Sequence, residues 1–266
     1  MVSVEAISFK DSVIIVKSKV KARNPLLLLG LPGIGFVSKL AADHLTKSGG
    51  AEHFATLYSP HFPNQVIAGR SGKLRPFSMK FFLRKGKGRD LIILKGDLQP
   101  LTVEGQYEVS AKILGFFQEF GGSEVLAMAG YALNKRVETP AIYVTSTSKE
   151  LFEQFLKLGA KKSENPVPIV GMAGIVPALS PLYKMRGACL LVETPGTVID
   201  AQGAIALLSL LSKYVGEKID ATNLQERARR AQKMLEKFEK QAMKPPTASG
   251  QAAGEGLFRD DLSYIR

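Results

Sequence analysis

The residue types that most often carry out chemistry are scarce in this sequence. Its 266 residues include one cysteine and three histidines, namely Cys189, His44, His53 and His61. The histidines lack the spacing of a zinc-binding helix, and the single thiol cannot form a disulfide within the chain. No nucleophile elbow is present either. The sequence therefore predicts no catalytic residue, no metal site and no cofactor.

Four carboxylates are the remaining candidates for acid–base chemistry. Asp97, Glu104, Glu108 and Glu193 each lie near the end of a predicted helix or strand, where they could meet in a crevice. Carboxylates at such positions more often cap a helix or face solvent. Both interpretations stay open at this stage.

The best candidate for a ligand site is a glycine-rich segment. Gly30, Gly33 and Gly35 lie in Gly30-Leu31-Pro32-Gly33-Ile34-Gly35, between a predicted strand and a predicted helix. Glycines there allow a sharp turn and close packing, and exposed N–H groups could hold an anion. The spacing is not that of a dinucleotide fingerprint, and no Gly-Lys-Ser/Thr sequence ends it as in a phosphate loop. A structural turn and a nucleoside or anion crevice are the two alternatives.

Two further turns are expected at the same edge of a parallel sheet. Gly171-Met172-Ala173-Gly174 precedes an apolar run, and Thr194-Pro195-Gly196-Thr197 follows the strand that holds Cys189. Ligands of open parallel sheets bind outside the carboxyl ends of the strands. The second turn is more typical of a simple change of chain direction into the next helix.

Short apolar runs alternate with helical patterns, which is typical of a layered α/β domain. Predicted strands are 13–20, 26–29, 54–58, 65–68, 77–83, 91–95, 125–129, 141–145 and 188–192, and predicted helices are 36–47, 102–120 and 199–215. Continuous rather than alternating apolar residues indicate strands buried on both faces, as in a mostly parallel sheet. We expect one core domain over residues 1–216.

Residues 217–244 are predicted to form a C-terminal amphipathic helix. Apolar residues recur there at spacings of four and three, which is a heptad pattern. This helix seam consists of Leu224, Ala228, Ala231, Leu235 and Phe238. Such a seam packs on its own domain or pairs with another subunit, and the sequence leaves both open.

Residues 245–266 are predicted to be a flexible tail with a docking peptide at its end. Pro245-Pro246 stops the helix, and 247–256 is small and polar. Apolar residues then return, and the chain ends in Tyr264, Ile265 and Arg266. An aromatic and an aliphatic side chain beside a free carboxylate suit capture by a basic pocket. Ordinary fraying of a chain end is the alternative.

The overall composition favours a globular cytoplasmic protein. The longest apolar run, 25–34, is too short to span a bilayer, and no secretory signal begins the chain. The formal net charge is +12, yet the positive residues are scattered along the sequence. Their densest group, between residues 73 and 89, is typical of a solvated hairpin or of a patch for an acidic partner. We expect no membrane partner, and nucleic acid is not the expected partner.

Several segments together resemble the archaeal and eukaryotic proteasome assembly chaperones of the second type. These segments are 30–37, Gly96-Asp97-Leu98-Gln99-Pro100, Ala129-Gly130-Tyr131, Thr139-Pro140, 171–182 and 194–204. As an ordered set they extend over about residues 13–215. The resemblance implies a three-layer α/β/α sandwich like that of nucleoside phosphorylases, no catalysis, and a homo-oligomer, alone or with another family member.

The same resemblance implies a role for the tail. Some archaeal members end in a hydrophobic–Tyr–any tripeptide that inserts between α subunits of the 20S proteasome, where a lysine meets the terminal carboxylate. Here Tyr264 is third from the end and Ser263 precedes it. Moving the match by one residue places Ile265 in the tyrosine position. The implied function is an assembly chaperone or adaptor that presents its tails to the α ring.

Overall fold

The structure is a computed structural model that describes residues 10–69, 71–133, 135, 137–165, 168–226, 228–230 and 233. Its strands are β1 (Val13–Val16), β2 (Leu26–Gly30), β3 (Glu52–Tyr58), β4 (Val66–Ala68), β5 (Leu74–Pro76), β6 (Met79–Arg84), β7 (Leu91–Gly96), β8 (Glu124–Ala132), β9 (Ile142–Ser146) and β10 (Arg186–Thr194). Its α-helices are α1 (Val37–Ser48), α2 (Val103–Gln118), α3 (Lys149–Lys157), α4 (Met172–Leu179) and α5 (Ala201–Val215).

Eight strands form one sheet in the order β1-β3-β6-β7-β2-β8-β10-β9, and β4 and β5 form a small separate hairpin. The four central strands, β7, β2, β8 and β10, are parallel, whereas the flanking strands pair antiparallel. Leu26–Leu29 of β2 are all buried, since helices cover both faces of the centre. The predicted sheet with a parallel centre is confirmed.

Helices pack on both faces of this sheet and complete three layers. One face carries α1, α3 and α5, whose buried side chains include Val37, Phe155 and Leu207. The other face carries α2 and α4, with Phe117 and Val176 in the core. The predicted three-layer α/β/α sandwich is confirmed.

Two helices were missing from the sequence prediction. Helix α3 has only nine residues, but its apolar residues Leu151, Phe152, Phe155 and Leu156 recur at helical spacing, and Ser148 caps it by accepting from the N–H of Leu151 at 3.3 Å, so the sequence carried a signal that the prediction did not use. Helix α4 has eight residues with Pro177 inside it and no charged side chain. Proline is unfavourable inside a helix, so tertiary packing rather than local propensity holds α4 together.

The basic segment from β5 to the start of β7 contains the β6–β7 hairpin, and most of its basic side chains are paired with carboxylates of the same chain. Four of its basic side chains form ion pairs: Arg75 with Asp97, Arg84 with Glu217, Lys85 with Asp90 and Arg89 with Glu124. These pairs leave less positive charge for an acidic partner than the sequence indicated.

The first part of the helix seam packs on its own domain. Leu224 and Ala228 are buried in the core beside α1, α3 and α5. The carboxylate of Glu217 binds Arg84 at 2.6 Å, and a ring nitrogen of His44 lies in hydrogen-bonding contact with the carbonyl of Asp220. The other seam residues, Ala231, Leu235 and Phe238, and the tail with Tyr264, Ile265 and Arg266 lie outside the described residues.

Within the part of the chain that the structure describes, no helix is long and apolar enough to cross a membrane.

Candidate functional site: a cavity at the carboxyl ends of the parallel strands

A cavity of about 760 Å³ lies where the parallel strands end. We call this side of the sheet the C-terminal edge and the side where the same strands begin the N-terminal edge. In the sheet, β7 lies next to β2 on one side, and β8, the strand that follows β7 in the chain, lies next to β2 on the other side. The cavity lies at this switch point between β2 and β8, the usual ligand position in open parallel sheets.

The wall of the cavity is mostly apolar. It comes from the ends of β2, β8 and β10, from residues 31–34 and from residues 168–173. The lining residues are Leu29, Leu31, Pro32, Gly33, Ile34, Ser38, Gln99, Met128, Ala129, Gly130, Tyr131, Ala132, Asn165, Pro168, Ile169, Val170, Gly171, Ala173 and Leu191. No lysine, arginine, histidine, aspartate or glutamate is among these described lining residues.

Most glycines at this edge are required by close packing. A Cβ at Gly30 would overlap the Cβ of Ala42, so the end of β2 lies directly against α1. Gly35 has a φ of 65°, and a Cβ there would lie 2.5 Å from the Thr194 hydroxyl oxygen. A Cβ at Gly130 would overlap the carbonyl oxygen of Ile34. The motif glycines therefore let three chain segments interlock, which supports the structural-turn interpretation for Gly30 and Gly35.

Gly33 is the exception among the glycines of the first loop. Its φ of −173° is extended backbone that any residue adopts. A Cβ added there meets no heavy atom within 4 Å. The packing of this chain therefore does not require a glycine at position 33, a residue that lines the cavity.

Gln99 holds the two glycine-rich loops together across the cavity. Its Nε2 donates to the carbonyl of Pro32 at 2.7 Å, and its Oε1 accepts from the N–H of Met172 at 2.9 Å. Gly171 has a φ of 85° and approaches this side chain so closely that a Cβ would lie 2.9 Å from Oε1. Gln99 is thus a positioning residue, a role that sequence reasoning did not assign although the residue lies in a quoted family segment.

The start of α1 does not form a charged anion site. The helix begins after Phe36, a residue in left-handed conformation with a φ of 54°, and no side chain caps its first turn. The hydroxyl of Ser38 donates to the carbonyl of Leu29 at 3.2 Å. The crevice exists where the glycine segment predicted it, but its described wall offers no cation to balance a phosphate or carboxylate.

The four candidate carboxylates do not meet at the cavity. Asp97 accepts two hydrogen bonds from the Arg75 guanidinium, the shorter at 2.5 Å, and one from the N–H of Ser78 at 3.1 Å. The carboxylate of Glu108 accepts hydrogen bonds from the N–H and from the hydroxyl of Ser12. Glu104 is exposed in the first turn of α2. These three carboxylates therefore have structural or solvent-exposed positions.

Glu193 is held by the edge strand β9. Its Oε2 accepts from the N–H of Ala141 at 2.9 Å, and its Oε1 accepts from the hydroxyl of Tyr143 at 2.9 Å. The hydrogen bond to Glu193, together with desolvation, raises the pKa of Tyr143. The pair stabilises the contact between β9 and β10 and leaves the carboxylate engaged.

The thiol and the histidines are likewise part of the fold. Burial raises the pKa of Cys189 to about 12, so this thiol stays protonated at neutral pH and is not a ready nucleophile. His53 contacts the carbonyl of Ala55 and the hydroxyl of Thr56 at 3.1 and 2.9 Å through Nε2. Among the described residues no group of three histidine, cysteine, aspartate or glutamate side chains could hold a metal ion.

The fold and the cavity define a class: three-layer α/β/α proteins with an uncharged crevice at the switch point of a parallel sheet. A family model described as the PAC2 family matches residues 27–239. The chain belongs to the PAC2 family. The resemblance drawn from the glycine-rich loop and the turns is confirmed.

Individual relatives agree with this assignment. The chain is 32% identical over 245 residues to the uncharacterized protein MJ1210 of Methanocaldococcus jannaschii, with 91% of this chain and 92% of that protein covered. The crystal structure of Pyrococcus furiosus PbaB, an archaeal proteasome activator, matches with a TM-score of 0.78 and 36% identity, covering 86% of this chain and 99% of that one.

A more distant relative shares the fold. Pyrococcus furiosus PbaA, an archaeal homolog of proteasome-assembly chaperone, matches with a TM-score of 0.72 and 22% identity, covering 86% of this chain and 97% of that one. At this identity the match shows the architecture alone.

Proposed function

We propose that this protein is a proteasome assembly chaperone or a proteasome-binding adaptor, without an enzymatic activity of its own and located in the cytoplasm. The observation that carries the proposal is the likeness to the P. furiosus proteasome activator PbaB, which at 36% identity extends over 99% of that chain. Membership of the PAC2 family over residues 27–239 supports the same role.

In this proposal the C-terminal tail makes the contact with 20S α subunits, through Tyr264, Ile265 and Arg266. The chain continues for 33 residues beyond residue 233. A chain of that length reaches at most about 120 Å when fully extended. A tripeptide makes few contacts and binds weakly, so several tails on one homo-oligomer would be needed to raise the effective concentration, often to about the mM range for short linkers.

The described body offers a firm base for such a tail. The Arg84–Glu217 ion pair fixes the chain just after α5, and Leu224 and Ala228 are buried in the core. The net charge of +12 would speed the approach to an acidic surface at low salt.

The first test compares the intact protein with a variant lacking residues 264–266 for binding to 20S particles and to free α subunits. We expect truncation to abolish binding, because it removes the side chains of Tyr264, Ile265 and Arg266 and leaves the terminal carboxylate on a different residue. Ser249→Ala, in the small polar spacer 247–256, serves as the matched tail control and should bind like the intact chain. Tyr264→Ala and Ile265→Ala, measured separately, determine which register of the tripeptide docks.

The outcomes separate the parts of the proposal. Binding that survives truncation would move the interface to the folded body and contradict the role of the tail. Failure of the intact protein to bind any proteasome particle, at low and at high salt, would contradict the proposed function itself.

The homo-oligomer has its own test in the outer part of the helix seam. We expect Leu235→Asp together with Phe238→Asp to lower the mass measured by light scattering, because charges oppose apolar pairing of helices. Lys237→Asp, on the charged flank of the seam, is the control for added negative charge. An unchanged mass would remove this seam from the proposed interface. Leu224 is unsuitable for the experiment because it belongs to the core.

A further inference from the structure

We propose that the cavity at the C-terminal edge is a binding site for a small uncharged organic molecule with an apolar body. The inference neither requires nor follows from proteasome binding. The volume of the cavity, about 760 Å³, lies in the range of about 300–1,000 Å³ that is usual for ligand sites. Such sites are typically apolar with a few placed polar groups, and this wall has that composition.

The charge of the wall determines the ligand class. None of its described residues carries a formal charge. Moving an ionised group into an apolar site without a partner is costly, so a phosphate, carboxylate or ammonium group would be rejected. Charged side chains line an adjoining cavity of about 360 Å³, which shares Tyr131, Asn165 and Leu191 with this one and is also lined by Lys161, Lys162 and Glu164.

Gly33 provides an independent observation. The other constrained glycines of this edge are explained by contacts within the chain, whereas Gly33 has extended backbone and an empty Cβ position. Because Gly33 lines the cavity and its packing leaves room for a side chain, a large residue at this position tests whether a ligand uses the space beside it.

The polar groups on the wall suit a neutral ligand. Both ends of the Gln99 amide are occupied by backbone groups of Pro32 and Met172, and the Ser38 hydroxyl donates to Leu29. Tyr131 and Asn165 line the cavity, and their side chains form no hydrogen bond with the described residues. They can orient one neutral donor or acceptor on an otherwise apolar molecule.

The experiment uses the full chain with ¹³C-methyl-labelled methionine. Met128 lines the cavity and is 2% exposed, whereas Met185 is 3% exposed near the N-terminal edge and is the internal reference. The uncharged probes are benzamide, indole and cyclohexanol, and the charged probes are benzoate and inorganic phosphate. Benzamide and benzoate have nearly the same shape and differ in charge.

We expect at least one uncharged probe to shift the Met128 methyl signal saturably while Met185 stays unchanged. Benzoate should bind at least about tenfold more weakly than benzamide, because its charge has no partner on the wall. Gly33→Leu should weaken binding by at least about tenfold by filling the open space. Gly88→Leu is the matched control, since its Cβ position is also empty but lies on the hairpin at the other edge.

Three results would overturn the inference. They are the absence of any Met128 shift with all three uncharged probes, equal affinity for benzamide and benzoate, and unchanged binding in Gly33→Leu. A thermal unfolding curve for each variant shows that the fold is retained, so a loss of binding is assigned to the cavity.

Discussion

At the C-terminal edge of the sheet, glycines and apolar side chains surround open space, whereas at the N-terminal edge charged groups fill the space between the same strands. There the carboxylate of Glu124 is 1% exposed and accepts from Arg89 at 2.8 Å and from Arg186 at 2.7 Å. The hydroxyl of Tyr214 also donates to it. The C-terminal edge has open space and few polar groups. The N-terminal edge has many polar groups, which form ion pairs and hydrogen bonds with one another.

A second carboxylate repeats this pattern at the N-terminal edge. Asp90 is buried and accepts from the N–H of Arg23 at 2.8 Å, the N–H of Gly86 at 3.2 Å and the ammonium of Lys85 at 2.9 Å. Buried charges are tolerated when ion pairs and hydrogen bonds replace water. The comparison shows that paired charged groups fill the N-terminal edge, whereas packed glycines at the C-terminal edge leave a cavity open.

Glu124→Gln should have the largest effect on this comparison. It removes the negative charge between Arg89 and Arg186 and leaves the largely buried guanidinium of Arg89 without its anionic partner, while the half-exposed Arg186 turns to solvent. We expect the free energy of unfolding to fall by about 3 kcal/mol. Urea unfolding measures it, with the exposed Glu153→Gln as a control expected within about 0.5 kcal/mol of the parent. A loss below about 1 kcal/mol would show that the edge is not held by this network.

Gly30→Ala tests the packing at the C-terminal edge. The added Cβ would overlap that of Ala42, so we expect α1 to shift and stability to fall by about 1–3 kcal/mol. Gly33→Ala is the matched control and should change the free energy of unfolding by less than about 0.5 kcal/mol. Equal losses in the two variants would contradict the distinction between packed and open glycines.

Gln99→Leu tests the link between the two loops. It removes hydrogen bonds to Pro32 and Met172, and we expect a loss of about 1–2 kcal/mol. The amide NMR signals of Gly33 and Met172 should move, while those around Glu124 stay in place. Gln154→Leu, on an exposed face of α3, is the control. Unmoved loop signals would show that Gln99 does not position the cavity wall.

The smallest effect concerns pH and His53 near the N-terminal edge. Desolvation lowers the pKa of His53, and the neighbouring Lys17 and Lys80 lower it further. Because the folded pKa lies below the unfolded value, the unfolded chain binds the proton more readily. The stability contribution is complete above about pH 6.5 and is lost as pH falls from there through the folded pKa.

An NMR titration of the His53 ring checks this direction. Lys17→Met should raise the pKa of His53, since the Lys17 ammonium lies 3.3 Å from Nδ1. Lys19→Met, which removes an exposed charge nearby in sequence, should leave it closer to the parent value. A pKa of His53 at or above the unfolded value would contradict the assignment. The cavity probes should bind equally across this pH range, because no histidine or carboxylate lies on the described wall.

Much of the sheet could be predicted because its central strands are continuous apolar runs. Residues 26–29 and 91–95 lie within β2 and β7, and 125–129 and 188–192 lie within β8 and β10. The latter two strands are longer than predicted, since their ends carry glycine, tyrosine, glutamate and threonine rather than aliphatic residues. The seam residues Leu224 and Ala228 also fitted an apolar pattern, but the pattern could not say that they belong to their own core.

The candidate site could be predicted only in part. The sequence pointed to the glycine-rich segment and to the edge of the sheet, since turns after parallel strands meet there. It did not distinguish Gly33 from Gly30 and Gly35, because the difference depends on Ala42 and Thr194, which approach from other elements. Nor did it indicate that the wall would be uncharged, because the lining residues come from segments far apart in the chain.

By itself the sequence determined the layered α/β class, the parallel centre and the family, because local apolar runs and ordered turn segments are properties of neighbouring residues. Tertiary structure alone decided which carboxylates are buried with partners, which glycine faces open space, and that Gln99 joins two loops 67 and 73 residues away. Burial, pairing and open volume depend on groups brought together by folding. Only the three-dimensional arrangement therefore distinguishes the edge filled by paired charges from the edge with an open cavity.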